Sequence, residues 1–503
     1  MLDKFWDHVK SGSDIRGTAM ASESTKTPEL TNEIFEKIML AFAQWISEKT
    51  GLDYCDITIA IGHDSRLSAT RIKNVCINTL RGVGINIYDC SLCSTPAMYM
   101  ATSVLTCSAA IEITASHHPW DRNGLKFFTA EGGITPGDVE EILLKAQNNQ
   151  SPPPTQKGNV RAINLMEYYQ EKIKKMICDN IQNVDNKQRP LVGTKIVIDA
   201  GNGAGGFFAK NILEPLGADT EGSSYLDPDG NFPNHVPNPE NTEALESIVR
   251  ITKNANADLG IIFDTDVDRV AVVDKDGTLI SSEKMIALAS RIALKDNPDS
   301  IIVTDSVTSD HLKEFIGKYN GTQFRYKRGY NNVITMAKKI NTKGMNCPLA
   351  IESSGHAAFK ENKFIDDGAY LAAKIIVEMV NLKSEGKTLK DVLKNLKTAK
   401  EQVTIRIPIN SEDTDKDSTK ILNYLKNHAH SNRDMECDQE NIEGVRINVI
   451  KKQNKGWFII RKSVHDPELV LHAEAEVAGG LKNIINSIKS SLKHFHELDI
   501  SKL

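Results

Sequence analysis

Three apolar runs in this chain each end in an aspartate followed by small or polar residues. They are Ile57-Thr-Ile-Ala-Ile-Gly-His-Asp64, Lys195-Ile-Val-Ile-Asp199 and Ile301-Ile-Val-Thr-Asp305. Short β-branched runs that alternate with amphipathic helical stretches are the pattern of α/β domains. Their recurrence at intervals of more than a hundred residues predicts related units in tandem. Beyond about residue 400 the pattern changes. Segments 403–409, 445–450, 457–460 and 469–473 read as strands, and 419–429 and 481–495 as helices. The expected fold class is therefore α/β with four domains: three tandem mixed α/β domains of related fold, then a C-terminal α+β domain. A length of 503 residues has room for them at roughly 150 residues per domain. Polar, proline-rich stretches at 148–159 and 179–190 read as joints. The expected boundaries are 1–158, 159–296, 297–400 and 401–503.

A formal net charge of −5 argues against a nucleic-acid footprint. No apolar run reaches about 18 residues, so no membrane span is expected. The N-terminal Met1-Leu-Asp-Lys-Phe-Trp-Asp lacks the apolar stretch of a secretory signal. Eight cysteines in so long a chain do not make a disulfide scaffold. Cys90 and Cys93 form a C-x-x-C pair, but no second pair completes a zinc site, and two buried thiols are the expectation. A cytoplasmic protein is expected.

Four segments can carry chemistry. The first is Asp264-Thr-Asp266-Val-Asp268-Arg269, after the apolar run Leu259-Gly-Ile-Ile-Phe263. Alternate residues of an extended segment share a face, so three carboxylates converge as hard cations require. An EF-hand loop would need glycine and glutamate where Arg269 and Lys275 stand. The bland alternative is a solvated acidic turn. The second is Thr114-Ala-Ser116-His117-His118-Pro119-Trp-Asp-Arg-Asn123-Gly124-Leu-Lys126. Its small residues predict that Ser116 lies on an exposed turn. A serine there can carry a phosphoryl group if a base takes its proton and cations balance the charge. Lys126, His117 and the metal are candidates for those tasks, although an ordinary turn reads the same way.

The third segment is Glu352-Ser353-Ser354-Gly355-His356, whose side chains suit sugar hydroxyls but equally a polar loop. The fourth is Arg461-Lys-Ser463-Val-His465-Asp-Pro467, in which Arg and Ser two apart can grip a phosphate. A decoy stands at Gly201-Asn-Gly203-Ala-Gly-Gly206, which matches a dinucleotide-binding fingerprint. Asp199, two residues earlier, would repel a pyrophosphate, so a tight strand-to-helix turn is expected instead.

In this order the four segments resemble the α-D-phosphohexomutase superfamily, over nearly the whole chain. The resemblance takes in Ser11-Gly-Ser-Asp14-Ile15-Arg16-Gly17, Gly62-His-Asp64-Ser-Arg66, and the loop from Asp229-Gly-Asn-Phe232-Pro233-Asn-His235 to Pro237-Asn238-Pro239. It implies a phosphoserine domain, a metal-binding domain, a sugar-recognition domain and a C-terminal phosphate-binding domain, in that order. It implies that phosphorylated Ser116 exchanges its phosphate with a hexose phosphate through a hexose 1,6-bisphosphate. Mg²⁺ is implied on Asp264, Asp266, Asp268 and the phosphoserine. Arg16 and Lys126 are implied to stabilise the transferring phosphoryl, with His117 assisting and Arg269 and Lys327 close by. Glu352, Ser354 and His356 are implied for the sugar, and Arg461, Ser463 and His465 for phosphate.

Three departures stand out from the family pattern. His118 replaces an asparagine, Ile351 a glycine, and Ser463-Val-His-Asp the common S-G-T-E. The E-x-S-G-H form resembles bifunctional phosphomannomutase/phosphoglucomutase members, and phosphoglucosamine mutases carry a similar form. From a different class, the alternative is a catalytically weak sugar-phosphate binding or regulatory protein, against which intact Ser116, the three aspartates and Lys126 argue.

Overall fold

The computed structural model describes residues 1–23, 25–149, 156–182, 184–411, 413–463 and 467–503. It divides into two compact units, residues 1–292 with 354–392 and residues 293–353 with 393–503.

The first unit holds two sheets. In the larger, strands Thr58–His63, Asn86–Leu92 and Ala109–Ile113 run parallel. Arg122–Thr129 then pairs antiparallel with Ala109–Ile113 on one side and with Asp14–Thr18 on the other. That register sets Lys126 opposite Glu112 and Asp14. Every residue of Ala109–Ile113 is buried, as befits a strand covered on both faces. One cover is the helix Asn32–Thr50. Its stripe of Phe35, Ile38, Met39, Phe42 and Ile46 is buried, at the spacing of one helical face. Thr31 caps its start by accepting from the Ile34 N–H, and it ends at Gly51, whose φ is 69°, a conformation that suits glycine.

The second sheet has the order Leu279–Ile280, Val270–Asp274, Leu259–Phe263, Ile196–Asp199. Leu259–Phe263 and Val270–Asp274 pair antiparallel from Phe263↔Val270 outward. The acidic segment is therefore the loop of a tight hairpin. The strand Ile196–Asp199 leads into the glycine turn, then the 3₁₀ turn Ala204–Gly206 and the π-helical Phe208–Leu213. A Cβ on Gly203 would lie 2.6 Å from the carbonyl oxygen of Thr265. The glycines thus let this turn approach the acidic hairpin, in line with the tight-turn expectation.

Asp199 fixes the same turn. It accepts from the Gly201 N–H at 2.9 Å and the Ser247 hydroxyl at 2.9 Å, and pairs with His235 Nε2 at 3.0 Å. Burial pushes the His235 pKa down, but Asp199 outweighs it and the net shift is upward from 6.5. The charged imidazole is the stabilised form. Its contribution is fully present below the ordinary histidine value and fades as pH rises through the raised one. His235→Gln is expected to destabilise by about 2 kcal/mol near pH 6, and by less near pH 9. Urea unfolding at the two pH values checks this, and a gap independent of pH would count against it.

In the second unit, Thr322–Tyr326, Ile301–Asp305 and Leu349–Ile351 form parallel pairs. The C-terminal sheet is antiparallel throughout, in the order Glu401–Pro408, Glu468–Ala475, Gly456–Lys462, Val445–Val449, Met435–Cys437. Helices Thr414–Ser431 and Gly480–Leu492 pack on it through Ile421, Leu425, Ile484 and Ile488. Buried Arg446 ties the two sheets of this unit together. It donates to the Thr308 carbonyl at 2.9 Å and stacks 3.6 Å from the Trp457 ring centroid. Among the described residues no helix is long and apolar enough to cross a membrane.

Candidate active site

Ser116 follows the strand Ala109–Ile113 on a turn, with a φ of 51°, where residues other than glycine are uncommon. Its N–H donates to Thr114 Oγ1 at 2.8 Å. The hydroxyl donates to Asp264 Oδ2 at 3.0 Å, accepts from Arg269 Nη2 at 3.3 Å, and lies 3.4 Å from His117 Nδ1. The expected exposed turn is corrected in one respect. Ser116 is only 3% exposed, because the 264–269 hairpin loop covers it. Burial, and next the charge of Arg269, push the His117 pKa down.

Asp264, Asp266 and Asp268 bring carboxylate oxygens within 4.8 Å of one another. Val267 between them has a φ of 68°, a genuine outlier for a β-branched residue and the kind of strain that gathers at functional sites. Lys126 Nζ donates to Asp266 Oδ2 at 2.8 Å and Asp268 Oδ2 at 2.5 Å. Arg269 Nε donates to Asp264 Oδ2 at 3.0 Å, and Asn238 Oδ1 accepts from Arg269 Nη1 at 3.4 Å. Thr95 Oγ1 donates to Asp266 Oδ2 at 2.5 Å, and the Thr95 N–H to the Asp266 carbonyl at 2.9 Å. Thr95 opens the helix Thr95–Val104, whose N-terminus favours negative charge. Sequence alone does not point to Thr95.

These residues fit a metal ion. Asp266 Oδ1 and Asp268 Oδ1 are buried without a hydrogen-bond partner. Burial, then the charges of Asp268 and Asp266, push the Asp264 pKa well up. Three carboxylates thus outnumber the cations Lys126 and Arg269, and an all-oxygen donor set suits a hard divalent cation.

His356 lies beside this cluster and bridges to Arg269 through its backbone. Its Nδ1 is 2.6 Å from Asp366 Oδ2 and 3.8 Å from Asp268 Oδ1. Burial pushes the imidazole pKa down, but Asp366 and Asp268 outweigh it and raise it to about 9. No motif in the sequence marks Asp366. Ser354 belongs to the same unit and is buried. Arg16 pairs with Asp14 at 2.7 Å, and its charge bears on His117.

The second unit carries Lys327, Glu352, Arg461 and Ser463. Lys327 is exposed just beyond the strand Thr322–Tyr326. Buried Glu352 accepts from the Gly329 N–H at 2.5 Å. Arg461 is 5% exposed and sits near the end of Gly456–Lys462. Burial lowers its pKa, while Glu443, Asp305 and Glu352 act the other way, so Glu352 and Arg461 share one polar region. Glu443 also accepts from the Arg328 N–H at 3.1 Å, another partner the sequence does not announce. The Ser463 N–H donates to the Glu468 carbonyl at 2.9 Å. His465 lies outside the described residues. Cys90 and Cys93 are buried and unbridged.

Family models for phosphoglucomutase/phosphomannomutase, alpha/beta/alpha domains I, II and III, match residues 9–152, 167–277 and 281–399. The chain belongs to the phosphoglucomutase/phosphomannomutase family. It is a phosphohexomutase, an isomerase of the α-D-phosphohexomutase superfamily. A phosphomannomutase/phosphoglucomutase of Pseudomonas syringae pv. tomato is 31% identical over 455 residues, covering 90% of this chain and 91% of that one. A probable phosphoglucosamine mutase of Pyrococcus horikoshii is 28% identical, covering 92% and 96%. A crystal structure of a phosphoglucomutase/phosphomannomutase family protein from Burkholderia thailandensis superposes with a TM-score of 0.79 at 25% identity, covering 98% of each chain. The three α/β domains and the C-terminal sheet agree with the fold class expected from the sequence, and the acidic hairpin is the phosphohexomutase's candidate metal site.

Proposed function

We propose that this phosphohexomutase interconverts the 1- and 6-phosphates of mannose or glucose, with Ser116 as phosphoryl carrier and a hexose 1,6-bisphosphate as intermediate. The observation that carries the reading is the Ser116 hydroxyl, 3.0 Å from Asp264 and 3.3 Å from Arg269 inside the three-carboxylate cluster. Asp264, Asp266, Asp268 and the phosphoserine oxygens would hold Mg²⁺, which neutralises charge on the phosphoryl group. In transfer the bond from Ser116 Oγ to phosphorus breaks and one to the substrate hydroxyl oxygen forms. The substrate hydroxyl gives up its proton as Ser116 Oγ takes one up, and His117 Nδ1, 3.4 Å from that Oγ, is within reach of the proton that Oγ gains. Lys126, Arg16 and Arg269 add fixed positive charge, the main contribution a protein makes to phosphoryl transfer. The intermediate then presents its other phosphate, which returns to Ser116. Residues 1–158 thus carry the phosphoserine and 159–296 the carboxylates. Residues 297–400 would recognise sugar and 401–503 phosphate.

Glu352, Ser354 and His356 have the chemistry for sugar hydroxyls, and Lys327 has the charge to serve a phosphoryl group. Arg461, Ser463 and His465 have it for the phosphate that is not reacting. Arg461→Ala is expected to lower kcat/KM by on the order of 10- to 200-fold, the equivalent of about 1.5–3 kcal/mol for a charged hydrogen bond. Single-turnover transfer from phospho-Ser116 to the 1-phosphate and to the 6-phosphate should slow alike. Slowing of one alone would mean that Arg461 reads a single orientation.

Likeness to the Pyrococcus horikoshii protein favours glucosamine phosphate as a second reading. Coupled assays with glucose 1-phosphate, mannose 1-phosphate and glucosamine 1-phosphate distinguish them. Highest kcat/KM on the glucosamine substrate would overturn the first reading.

A further inference from the structure

Two stretches with no task in the reaction meet at Arg66: Gly62-His-Asp64-Ser-Arg66, and the loop that runs from Asp229 through Phe232 to His235. The Arg66 side chain is 0% exposed, and each of its five N–H bonds has an acceptor. Nε donates to Asp64 Oδ2 at 3.2 Å. Nη1 donates to the carbonyls of Pro119 at 2.7 Å and Arg122 at 2.9 Å. Nη2 donates to the carbonyls of Ser116 at 2.5 Å and His118 at 2.7 Å. Asp64 also accepts from Thr114 Oγ1 at 2.7 Å, and that oxygen accepts from the Ser116 N–H at 2.8 Å. The Phe232 ring lies over the guanidinium, 5.3 Å from centroid to carbon. Gly230 packs so closely beneath that a Cβ would meet the Leu67 nitrogen at 2.4 Å.

We propose that Arg66 is the positioning residue of the phosphoryl carrier. It fixes the turn on which Ser116 holds its left-handed φ, so that Oγ faces Asp264 and Arg269 at the same point in both halves of the reaction. The proposal rests on Ser116 as carrier. A planar fork is what the task needs, because its donors leave two nitrogens along fixed directions toward four carbonyls. Lysine offers three donors from one nitrogen and cannot span them. Arg66 is fully buried and all its N–H bonds are already taken, so its effect belongs in kcat.

The test compares Arg66→Lys with the unaltered enzyme for kcat, KM, Mg²⁺ dependence and Ser116 phosphorylation by glucose 1,6-bisphosphate, each per folded molecule. The expected result is a kcat lower by on the order of 100-fold, the scale of a misplacement near 1 Å. KM and the Mg²⁺ requirement should stay unchanged, and Ser116 should be phosphorylated more slowly. Wild-type kcat in folded Arg66→Lys, or a loss shared equally with KM, overturns the proposal. If Arg66→Lys does not fold, Phe232→Leu decides, since it removes only the ring over the guanidinium. A several-fold fall in kcat at constant KM supports the role, and no change overturns it. Phosphopeptide mapping of the unaltered enzyme separates the two ideas. Phosphate absent from Ser116 removes the carrier reading and this one with it. Phosphate on Ser116 with full turnover in Arg66→Lys removes this one alone.

Discussion

Ser116→Ala is expected to lose turnover by on the order of 10⁴-fold or more, as enzymes do when a covalent nucleophile is removed. The chain should still fold. Alanine removes one oxygen and leaves the turn that Thr114 and Arg66 hold in place, at a cost near 1 kcal/mol for the lost hydrogen bonds. The loss should fall on chemistry rather than on binding, because the residues proposed for the sugar and the distal phosphate are other side chains. A labelled hexose 1,6-bisphosphate should phosphorylate the unaltered enzyme once, on the peptide bearing Ser116, and leave the variant unlabelled. Asp264→Asn is the control. It removes charge next to Oγ but keeps the nucleophile, so it should slow labelling without abolishing it. Turnover by Ser116→Ala at the unaltered rate would mean that another group carries the phosphate.

The parts of this site that the sequence reveals are those that lie close together along the chain. The Ser116 turn and the Asp264–Asp266–Asp268 hairpin each carry their chemistry within a few residues, and spacing alone suggests what they can bind. Strand positions were legible for the same reason. The run ending at Asp305 coincides with the strand Ile301–Asp305, and the predicted C-terminal strands differ from the observed ones by a few residues at their ends. What the sequence does not reveal depends on contacts that only the folded chain makes. Thr95 reaches Asp266 across 171 positions, and a threonine at a helix start looks like any other cap. Asp366 matters because the chain turns back after Gly355 and sets it against His356. Val267 in the left-handed region goes against its own preference, so a residue-by-residue reading points away from it. The π-helical Phe208–Leu213 is invisible for a different reason. Its apolar spacing resembles that of an α-helix.

Chelation of divalent cations is expected to abolish turnover, and Mg²⁺ to restore it. The argument is one of charge. Lys126 and Arg269 pair directly with the three buried carboxylates, the charged His356 is shared between Asp268 and Asp366, and a phosphoryl group on Ser116 would add roughly two more negative charges. The side-chain cations in contact with the cluster fall short of that sum, whereas a divalent cation supplies the difference at short range in a poorly solvated site. Asp266 Oδ1 and Asp268 Oδ1, which accept no hydrogen bond, are where the missing positive charge belongs. Asp266→Asn tests the same point without a chelator. Asparagine keeps the shape and still accepts from Thr95, but it gives up one anionic ligand and the ion pair with Lys126. It should raise the Mg²⁺ concentration needed for half-maximal rate and lower kcat by on the order of 10²–10³-fold, the usual scale for removing one electrostatic contact with the transferring group. The two effects should separate on titration, because excess Mg²⁺ recovers occupancy but not the lost charge. A variant restored fully by excess Mg²⁺ would make Asp266 a simple affinity ligand. An unaltered enzyme that keeps its rate after exhaustive chelation would sink the assignment of all three aspartates.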